Sequence, residues 1–432
     1  MADYKDKILS MKEAKAIQKQ IAQEEAAKPD FKTDEHGKIK TNSMANIEQI
    51  LESDPMFKGI FRFNDFTNEI DVTTSCKDLR ISKGQMKDSY IDEIVSYVEN
   101  NPDYSVLFKQ PLIRSALTVV ANRHHYNPIV DYMNEAYEKW DHQQRIDTFF
   151  CDFLGAKHNP VTSLISELFF TGAVAKCYEP EIKFDFVLDL VGGQGAGKTT
   201  ILQKIAPLDY YTDQFTSFED KDSFAVMRRA LIVNDDEMTA TANSSFETLK
   251  KFVTLQIFEY RKPYGHQAER FSKGFVLART TNNLYYLKDK TGERRFLPLL
   301  VEKSRQKKNP VTDLPPEYVQ QLWGEAVHRY RDGDYNFELT KEQSDMLDEH
   351  RKSFMYTDTL EDAIADALEN EWADRTFLTA NTIALKVAAG ADLAKNRKLS
   401  NQIANIMVNR FGWRKGQKKI NGKNTRGYIK VR

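Results

Sequence analysis

An α/β fold with its functional groups at the ends of strands is the class this sequence predicts, and three stretches predict it. The strand-like run Phe184-Asp185-Phe186-Val187-Leu188-Asp189-Leu190-Val191 passes straight into a glycine loop, Gly192-Gly193-Gln194-Gly195-Ala196-Gly197-Lys198-Thr199, and Thr199 to Ile205 continues as a helix stopped by Pro207. A second apolar run, Ala230-Leu231-Ile232-Val233, ends in Asn234-Asp235-Asp236-Glu237. A third, Phe275-Val276-Leu277-Ala278, ends in Arg279-Thr280-Thr281-Asn282-Asn283. Short apolar runs without alternation are the pattern of strands buried on both faces. Strands alternating with helices build sheets that bind ligands at their carboxyl ends.

The other elements follow in order. Residues 1–44 are charged, Ala-rich and poor in aromatics, the composition of a flexible arm. Residues 45–170 read as a mainly helical accessory domain. Ile47, Ile50 and Leu51 share a helical face, and Phe57 to Phe63 reads as a short strand. Tyr90 to Val98 and Pro111 to Arg123 read as helices, and Asn127-Pro128 and Asn159-Pro160 punctuate the series. Residues 171–303 hold the three stretches above and one more strand at Arg295 to Leu300. Residues 304–356 form a connector and a helical lid, with a helix from about Glu317 to Tyr330. Residues 357–432 form a last, basic unit. No internal repeat is visible.

Bulk composition narrows the setting. Of 432 residues 41% are hydrophobic and 29% charged, which suffices for a sizeable core. The formal net charge is -1, yet Ala394 to Arg432 holds 12 of the 62 Lys and Arg and none of the 63 Asp and Glu. A basic end of this kind suits nucleic acid. Cys76, Cys151 and Cys177 stand at no metal or redox spacing, and His124-His125 has no ligand partner at a metal spacing. No basic-then-apolar leader opens the chain, and no apolar run of about 18 residues occurs. The expectation is a cytoplasmic protein with no membrane partner.

The glycine loop satisfies G-x-x-x-x-G-K-T at Gly192, Gly197, Lys198 and Thr199. Glycines let backbone N–H groups turn inward around phosphates, the lysine reaches the β/γ-phosphates, and the threonine hydroxyl ligates Mg²⁺. Gly192, Gly193, Gln194, Gly195, Ala196, Gly197, Lys198, Thr199 and Thr200 are therefore the expected nucleotide-binding residues, with ATP and Mg²⁺ as cofactors. The acidic strand end supplies the carboxylates an ATPase needs. Glu237 is the candidate base and Asp236 the residue nearest the metal, with Asp235 able to exchange roles with Asp236. Asn282, with Thr281 second, is placed to meet the γ-phosphate or the attacking water. Arg294 and Arg295 are suited to stabilising transferred phosphoryl charge, and an arginine supplied by a neighbour requires a ring.

Two basic stretches point to DNA. Between Glu259 and Phe271, Pro263 and Gly265 mark a hairpin turn that carries Arg261, Lys262, Tyr264 and His266, groups able to track a phosphate backbone and stack bases. At the end of the chain, helices at Thr379 to Ala389 and Asn396 to Phe411 precede a hairpin whose turn holds Asn421-Gly422. Helix, helix, basic hairpin is the order of a winged helix-turn-helix. Arg397, Lys398, Lys415, Lys418, Lys419, Lys423 and Arg426 are its expected DNA contacts. The apolar positions Ile403, Ile406, Met407, Phe411 and Trp413 mark a folded unit and not a solvated tail.

Taken together, these motifs resemble the virulence-associated protein E family, phage and pathogenicity-island proteins similar to superfamily 3 helicases. The resemblance runs from about Asn46 to Gly333. It rests on Gly192-x-Gln194-Gly195-x-Gly197-Lys198-Thr199, Lys221-Asp222, Arg261-x-Pro263-Tyr264-Gly265, Thr281-Asn282 and Gly292-x-Arg294-Arg295-Phe296. Trp140-Asp141, Arg145, Leu154-Gly155-Ala156 and Leu322-Trp323-x-Glu325-Ala326 extend it. It implies a P-loop AAA+-like core in a hexameric ring, with Lys198 and Thr199 on nucleotide and Mg²⁺, Glu237 in hydrolysis, Asn282 as γ-phosphate sensor and Arg294 or Arg295 as finger. The basic C-terminal unit lies outside it and is similar to winged-helix origin-binding domains. The expected function is an ATP-dependent DNA helicase or replication initiator of a mobile element. Single-stranded DNA would occupy the ring and duplex DNA the C-terminal domain. The alternative is a regulatory DNA-binding ATPase switch of phage interference or immunity, without unwinding.

Overall fold

The computed structural model of the chain describes residues 30–261, 267–287, 293–333, 337–355, 359–387, 397–420 and 423–431. The chain forms two compact units. The first comprises the chain through Asn282 together with Leu299–Glu338, and the second comprises Asn283–Pro298 with Leu339–Arg432. Most of the predicted flexible arm lies outside the described residues. No helix among the described residues is long and apolar enough to cross a membrane.

The first unit opens with α1 (Met44–Ser53), capped by the Ser43 hydroxyl and burying Ile47, Ile50 and Leu51 on one face. Strands β1 (Phe61–Asn64), β2 (Glu69–Val72), β3 (Gly84–Gln85) and β4 (His125–Tyr126) form a sheet in the order β3-β2-β1-β4. α2 (Asp88–Asn100) and α3 (Gln110–Ala121) close its apolar core around Phe57, Phe61, Ile94 and Leu117. The sequence reading found only one strand here. The others are two to four residues long and show no period of their own.

α4 (Pro128–Glu138), α5 (Ile146–Leu154) and α6 (Pro160–Tyr178) follow. At both Asn-Pro pairs the asparagine side chain accepts a first-turn N–H, from Val130 and from Thr162, and the proline takes the first helical position. α6 is buried on almost every side, so its sequence is apolar all round and not striped. It spans the boundary the sequence suggested near residue 170, and the accessory and core segments share one unit.

The central sheet is built from β5 (Val187–Val191), β6 (Tyr211–Thr212), β7 (Ile232–Asp235), β10 (Val276–Thr281) and β11 (Phe296–Leu300), in the order β11-β5-β10-β7-β6. β10 runs parallel to β5 and to β7, and β6 parallel to β7. Between the strands lie α7 (Lys198–Ile205), α8 (Lys221–Met227), α9 (Thr239–Asn243) and α10 (Phe246–Thr254). An antiparallel hairpin, β8 (Ile257–Tyr260) and β9 (Glu269–Ser272), precedes β10. α11 (Pro316–Asp332) packs on α4 and α6, and Gly324 lies so close to Ala136 that a Cβ there would stand 2.4 Å from its carbonyl oxygen. The indole of Trp323 donates to the Ile205 carbonyl at 2.8 Å, tying α11 to the end of α7.

In the second unit, α12 (Lys341–Lys352) begins with a capping box between Thr340 and Gln343. Its buried Arg351 donates to the carbonyls of Phe296 and Arg294, both at 2.8 Å. α13 (Thr359–Glu369), β12 (Phe377–Leu378), α14 (Ala380–Val387), α15 (Arg397–Asn405), β13 (Arg414–Ile420) and β14 (Lys423–Ile429) follow, with the sheet ordered β12-β14-β13. Ile364, Trp372, Ile383, Ile403, Met407 and Trp413 make a core of their own.

Two buried lysines stand out in the first unit. Lys273, between β9 and β10, donates to the carbonyls of Phe252 at 3.3 Å and Val253 at 2.7 Å, closing the last turn of α10 at the base of the hairpin. Lys176 donates to the carbonyls of Pro180 and Ile182. Burial pushes the Lys273 ammonium down to about 7, helped by the Lys176 charge and opposed by Asp185, and burial pushes Lys176 down to about 8. Between about pH 7 and the ordinary lysine range the folded chain holds Lys273 neutral while the unfolded chain keeps it protonated. The unfolded state then binds more protons, and stability rises with pH. We expect the urea midpoint of the protein to increase from pH 7.5 to pH 9.5 relative to that of Lys273→Met, measured by tryptophan fluorescence. Parallel midpoints for the two chains contradict this.

Candidate functional site

The site is built where β5, β7 and β10 end side by side. β5 is buried at every position and passes into the glycine loop at Gly192, whose N–H donates to the Thr281 carbonyl at the end of β10. A Cβ on Gly192 would stand 2.2 Å from the Val301 carbonyl oxygen, which only a glycine avoids. Gly195 and Gly197 take φ values of 76° and 83°, in the left-handed region that favours glycine. Gly197 caps α7, whose first residues are Lys198, Thr199 and Thr200.

Lys198 is nearly buried, at 5% exposure. Its three ammonium hydrogens go to the carbonyls of Gly192 at 2.7 Å and Gly193 at 3.1 Å and to Asn282 Oδ1 at 2.8 Å. Asn282 Nδ2 donates in turn to both carboxylate oxygens of Glu237, each at 3.1 Å. One amide thus joins the loop lysine to the acidic strand end. Burial lowers the Lys198 pKa, and the negative charges of Glu237 and Asp236 oppose that shift.

The two neighbouring aspartates have different surroundings. Asp236 Oδ1 accepts from the Thr199 hydroxyl at 2.6 Å and the Thr280 hydroxyl at 2.8 Å. Asp235 instead accepts from the N–H groups of Ala240 and Thr241 and from the Thr241 hydroxyl, fastening α9. Burial raises its pKa against those bonds and the Arg279 charge. The expectation that Asp235 exchanges roles with Asp236 therefore does not fit this arrangement, because the Asp235 carboxylate at the end of β7 is taken up by the start of α9 while Asp236, the first residue past the strand, meets Thr199. Thr199 and Asp236 together offer hard oxygen donors that suit Mg²⁺, an ion that takes few protein ligands and fills its shell with phosphate and water. Among the described residues no group of three or more His, Cys, Asp or Glu gathers as a metal site. Glu237 and Met238 have φ of 51° and 52°, a left-handed backbone that costs a non-glycine residue roughly 1–3 kcal/mol.

The sequence read the segment after β11 only as a connector. It lies along the glycine loop. Gln306 Nε2 donates to the Ala196 carbonyl at 2.7 Å, and the Pro310 ring lies 2.5 Å from where a Gly197 Cβ would be. Its other side is tied to the end of α5, through Glu302 N to the Leu154 carbonyl and Arg305 Nε to the Gly155 carbonyl. The sequence held one usable sign of this, the Leu154-Gly155-Ala156 triplet. At Gly155, φ is 67° and a Cβ would stand 2.1 Å from the Glu302 oxygen.

The remaining predicted residues fall elsewhere. Arg294, exposed, and Arg295, half-buried, form a 3-10 turn with Glu293 in the second unit. Arg261 is exposed just past β8, while Lys262, Tyr264 and His266 lie outside the described residues. Arg397 and Lys398 open α15, and Lys423 opens β14. Lys415, Lys418, Lys419 and Arg426 are exposed on the terminal hairpin. In its register Lys415 pairs with Tyr428 and Gln417 with Arg426, so Lys415, Lys419 and Arg426 share one face and Lys418 takes the other. Lys415, Gln417, Arg426, Tyr428 and Ala380 line a cavity of about 330 Å³.

The virulence-associated protein E-like domain matches residues 133–356 of the chain. Among solved structures, the chain is similar to the A form apo structure of the NrS-1 C terminal region, with 13% identity over 89% of this chain and 98% of that chain and a TM-score of 0.39. It is also similar to the apo structure of the NrS-1 C terminal region, with 13% identity over 86% of this chain and 96% of that chain and a TM-score of 0.34. No curated protein sequence matches.

Because the Val301 carbonyl is backbone and cannot swing away, Gly192→Ala should displace the loop. We expect it to lower stability by about 1–3 kcal/mol, as overpacking does, and to weaken binding of a fluorescent ATP analogue. Thermal melts and equilibrium titration measure both. Wild-type values for the variant would contradict the close approach.

Proposed function

The chain belongs to the virulence-associated protein E-like family, and on that footing we propose that it is a Mg²⁺-dependent ATPase that acts on DNA, as a helicase or replication initiator of a phage-type mobile element. One observation carries the reading. At the ends of three adjacent parallel strands, hydrogen bonds join Lys198 through Asn282 to Glu237, and beside them Thr199 to Asp236. Such a set supplies a phosphate-binding cation, a metal-binding oxygen pair, a carboxylate base and a polar sensor.

In this reading the loop N–H groups and the first turn of α7 hold the phosphate oxygens, where the helix end favours negative charge. Lys198 exchanges the Gly192 and Gly193 carbonyls for β- and γ-phosphate oxygens. Thr199 and Asp236 would hold Mg²⁺, which would supply neutralisation of the charge on the transferred group. As the lysine turns to phosphate, the Asn282 amide is released toward the γ-phosphate and the attacking water. The Glu237 carboxylate is then free to accept a proton from that water. Arg294 or Arg295 of a neighbouring copy would stabilise the phosphoryl charge, which requires a ring, in keeping with a hexamer. The β8–β9 hairpin would meet the strand inside that ring. The Lys415, Lys419 and Arg426 face of the terminal hairpin would grip duplex phosphates in the manner of a winged helix.

The test is steady-state ATP hydrolysis with and without single-stranded DNA at one fixed salt concentration, since DNA affinity depends on salt. We expect Mg²⁺-dependent turnover that DNA raises several-fold, background turnover in Lys198→Ala, and a loss on the order of a hundredfold in Glu237→Gln. Strand displacement on tailed or forked duplexes should accompany it. Turnover indifferent to DNA, with no displacement, would favour a regulatory DNA-binding switch. Turnover unchanged in Lys198→Ala would refute the reading.

A further inference from the structure

The residue that sets the two carboxylates in place was not among the sequence candidates. Thr280 is fully buried in β10, one residue beyond Arg279. Its hydroxyl donates to Asp236 Oδ1 at 2.8 Å and accepts from the Glu237 backbone N–H at 2.9 Å. A hydroxyl has one hydrogen to give and lone pairs to receive, so one group serves both bonds. Asp236 Oδ1 also accepts from Thr199 at 2.6 Å and from Asn234 Nδ2 at 3.4 Å. With three donors converging on Oδ1, Oδ2 is left without a donor among the described residues. The second bond fixes the N–H that enters the left-handed Glu237, where the backbone needs restraint.

We infer that Thr280 is a positioning residue for the site: its hydroxyl holds Asp236 through Oδ1 and so leaves Oδ2 for the Mg²⁺ the site would hold, and it pins the backbone that carries Glu237. This rests on the nucleotide-hydrolysis reading. Thr280→Val keeps the size and branching of the side chain and removes the hydroxyl, while Thr280→Ser keeps the hydroxyl. Second-shell partners of metal ligands typically influence affinity by ten- to a hundredfold, and small misplacements at a reacting centre cost about a hundredfold in rate.

The experiment measures two quantities on wild type, Thr280→Val and Thr280→Ser. The first is binding of a fluorescent, non-hydrolysed ATP analogue with and without Mg²⁺. The second is kcat and KM for ATP. For Thr280→Val the expected result is Mg²⁺-free binding like wild type, about tenfold loss of the strengthening by Mg²⁺, and kcat down by about a hundredfold with little change in KM. Thr280→Ser should restore both. If Thr280→Val does not fold, Thr280→Ala takes its place beside Thr280→Ser. The inference is overturned if the hydroxyl-free variants keep wild-type kcat and Mg²⁺ response. It is equally overturned if Thr280→Ser is as impaired as they are, or if Mg²⁺-free binding falls in step with kcat. A wild type without turnover overturns the hydrolysis reading itself, and this role with it.

Discussion

Arg279 holds the sheet in the register on which the site depends. It is buried in the central strand, and its guanidinium fork meets the carboxylate of buried Asp189 through bonds of 2.7 and 2.6 Å. The ladder sets it level with Asp189 on β5 and with Asp235 on β7. A buried ion pair is weak support for stability as a whole, but stripping one partner leaves an uncompensated charge and costs about 3–5 kcal/mol. The two-pronged geometry also discriminates between registers, because a shift by one residue turns every side chain to the wrong face. From this level, β5 runs on to Gly192, β10 to Asn282 and β7 to Asp236 and Glu237. The residues that must meet do so because the strands that carry them are locked together a few residues earlier.

The shell around the sheet keeps those ends still. Glu325, wholly buried on α11, accepts from the N–H groups of Arg145 and Ile146 at the start of α5 and from the Arg329 side chain. Arg145 holds Asp141 in a two-pronged pair, which keeps that carboxyl down at about 2. Trp323 fastens the far end of α7, and the segment carrying Gln306 and Pro310 covers the glycine loop from outside. Residues that mark the family resemblance outside the core, Arg145, Gly155, Trp323 and Glu325, are thus packing and capping residues. They hold the helices against which the loop is braced.

Much of this was legible in the sequence because its signals are local. The glycine loop, the apolar strands and the Asn-Pro helix starts each declare themselves within about ten residues. The predicted strand at Phe184 to Val191 is shorter in the structure, Val187–Val191. The choice between Asp235 and Asp236 is not readable in the sequence, because it depends on partners that only the fold supplies, Ala240 and Thr241 for Asp235 and Thr199 and Thr280 for Asp236. Thr280 was passed over for the same reason, since a strand threonine shows nothing of its cross-strand partners. Gln306 and Pro310 were unreadable as site residues because they reach the loop from more than a hundred residues away. The strands of the first sheet other than β1, two to four residues each, carry too little pattern to be seen.

A structure of the protein with Mg²⁺ and a non-hydrolysed ATP analogue tests the central claim most directly. The triphosphate is expected along Gly192 to Thr199. The Lys198 ammonium is expected to have moved from the Gly192 and Gly193 carbonyls to phosphate oxygens, and the bond from Asn282 to Glu237 to be broken. Nucleotide bound elsewhere, or bound at the loop with Lys198 still held by Asn282 and the two carbonyls, would contradict it.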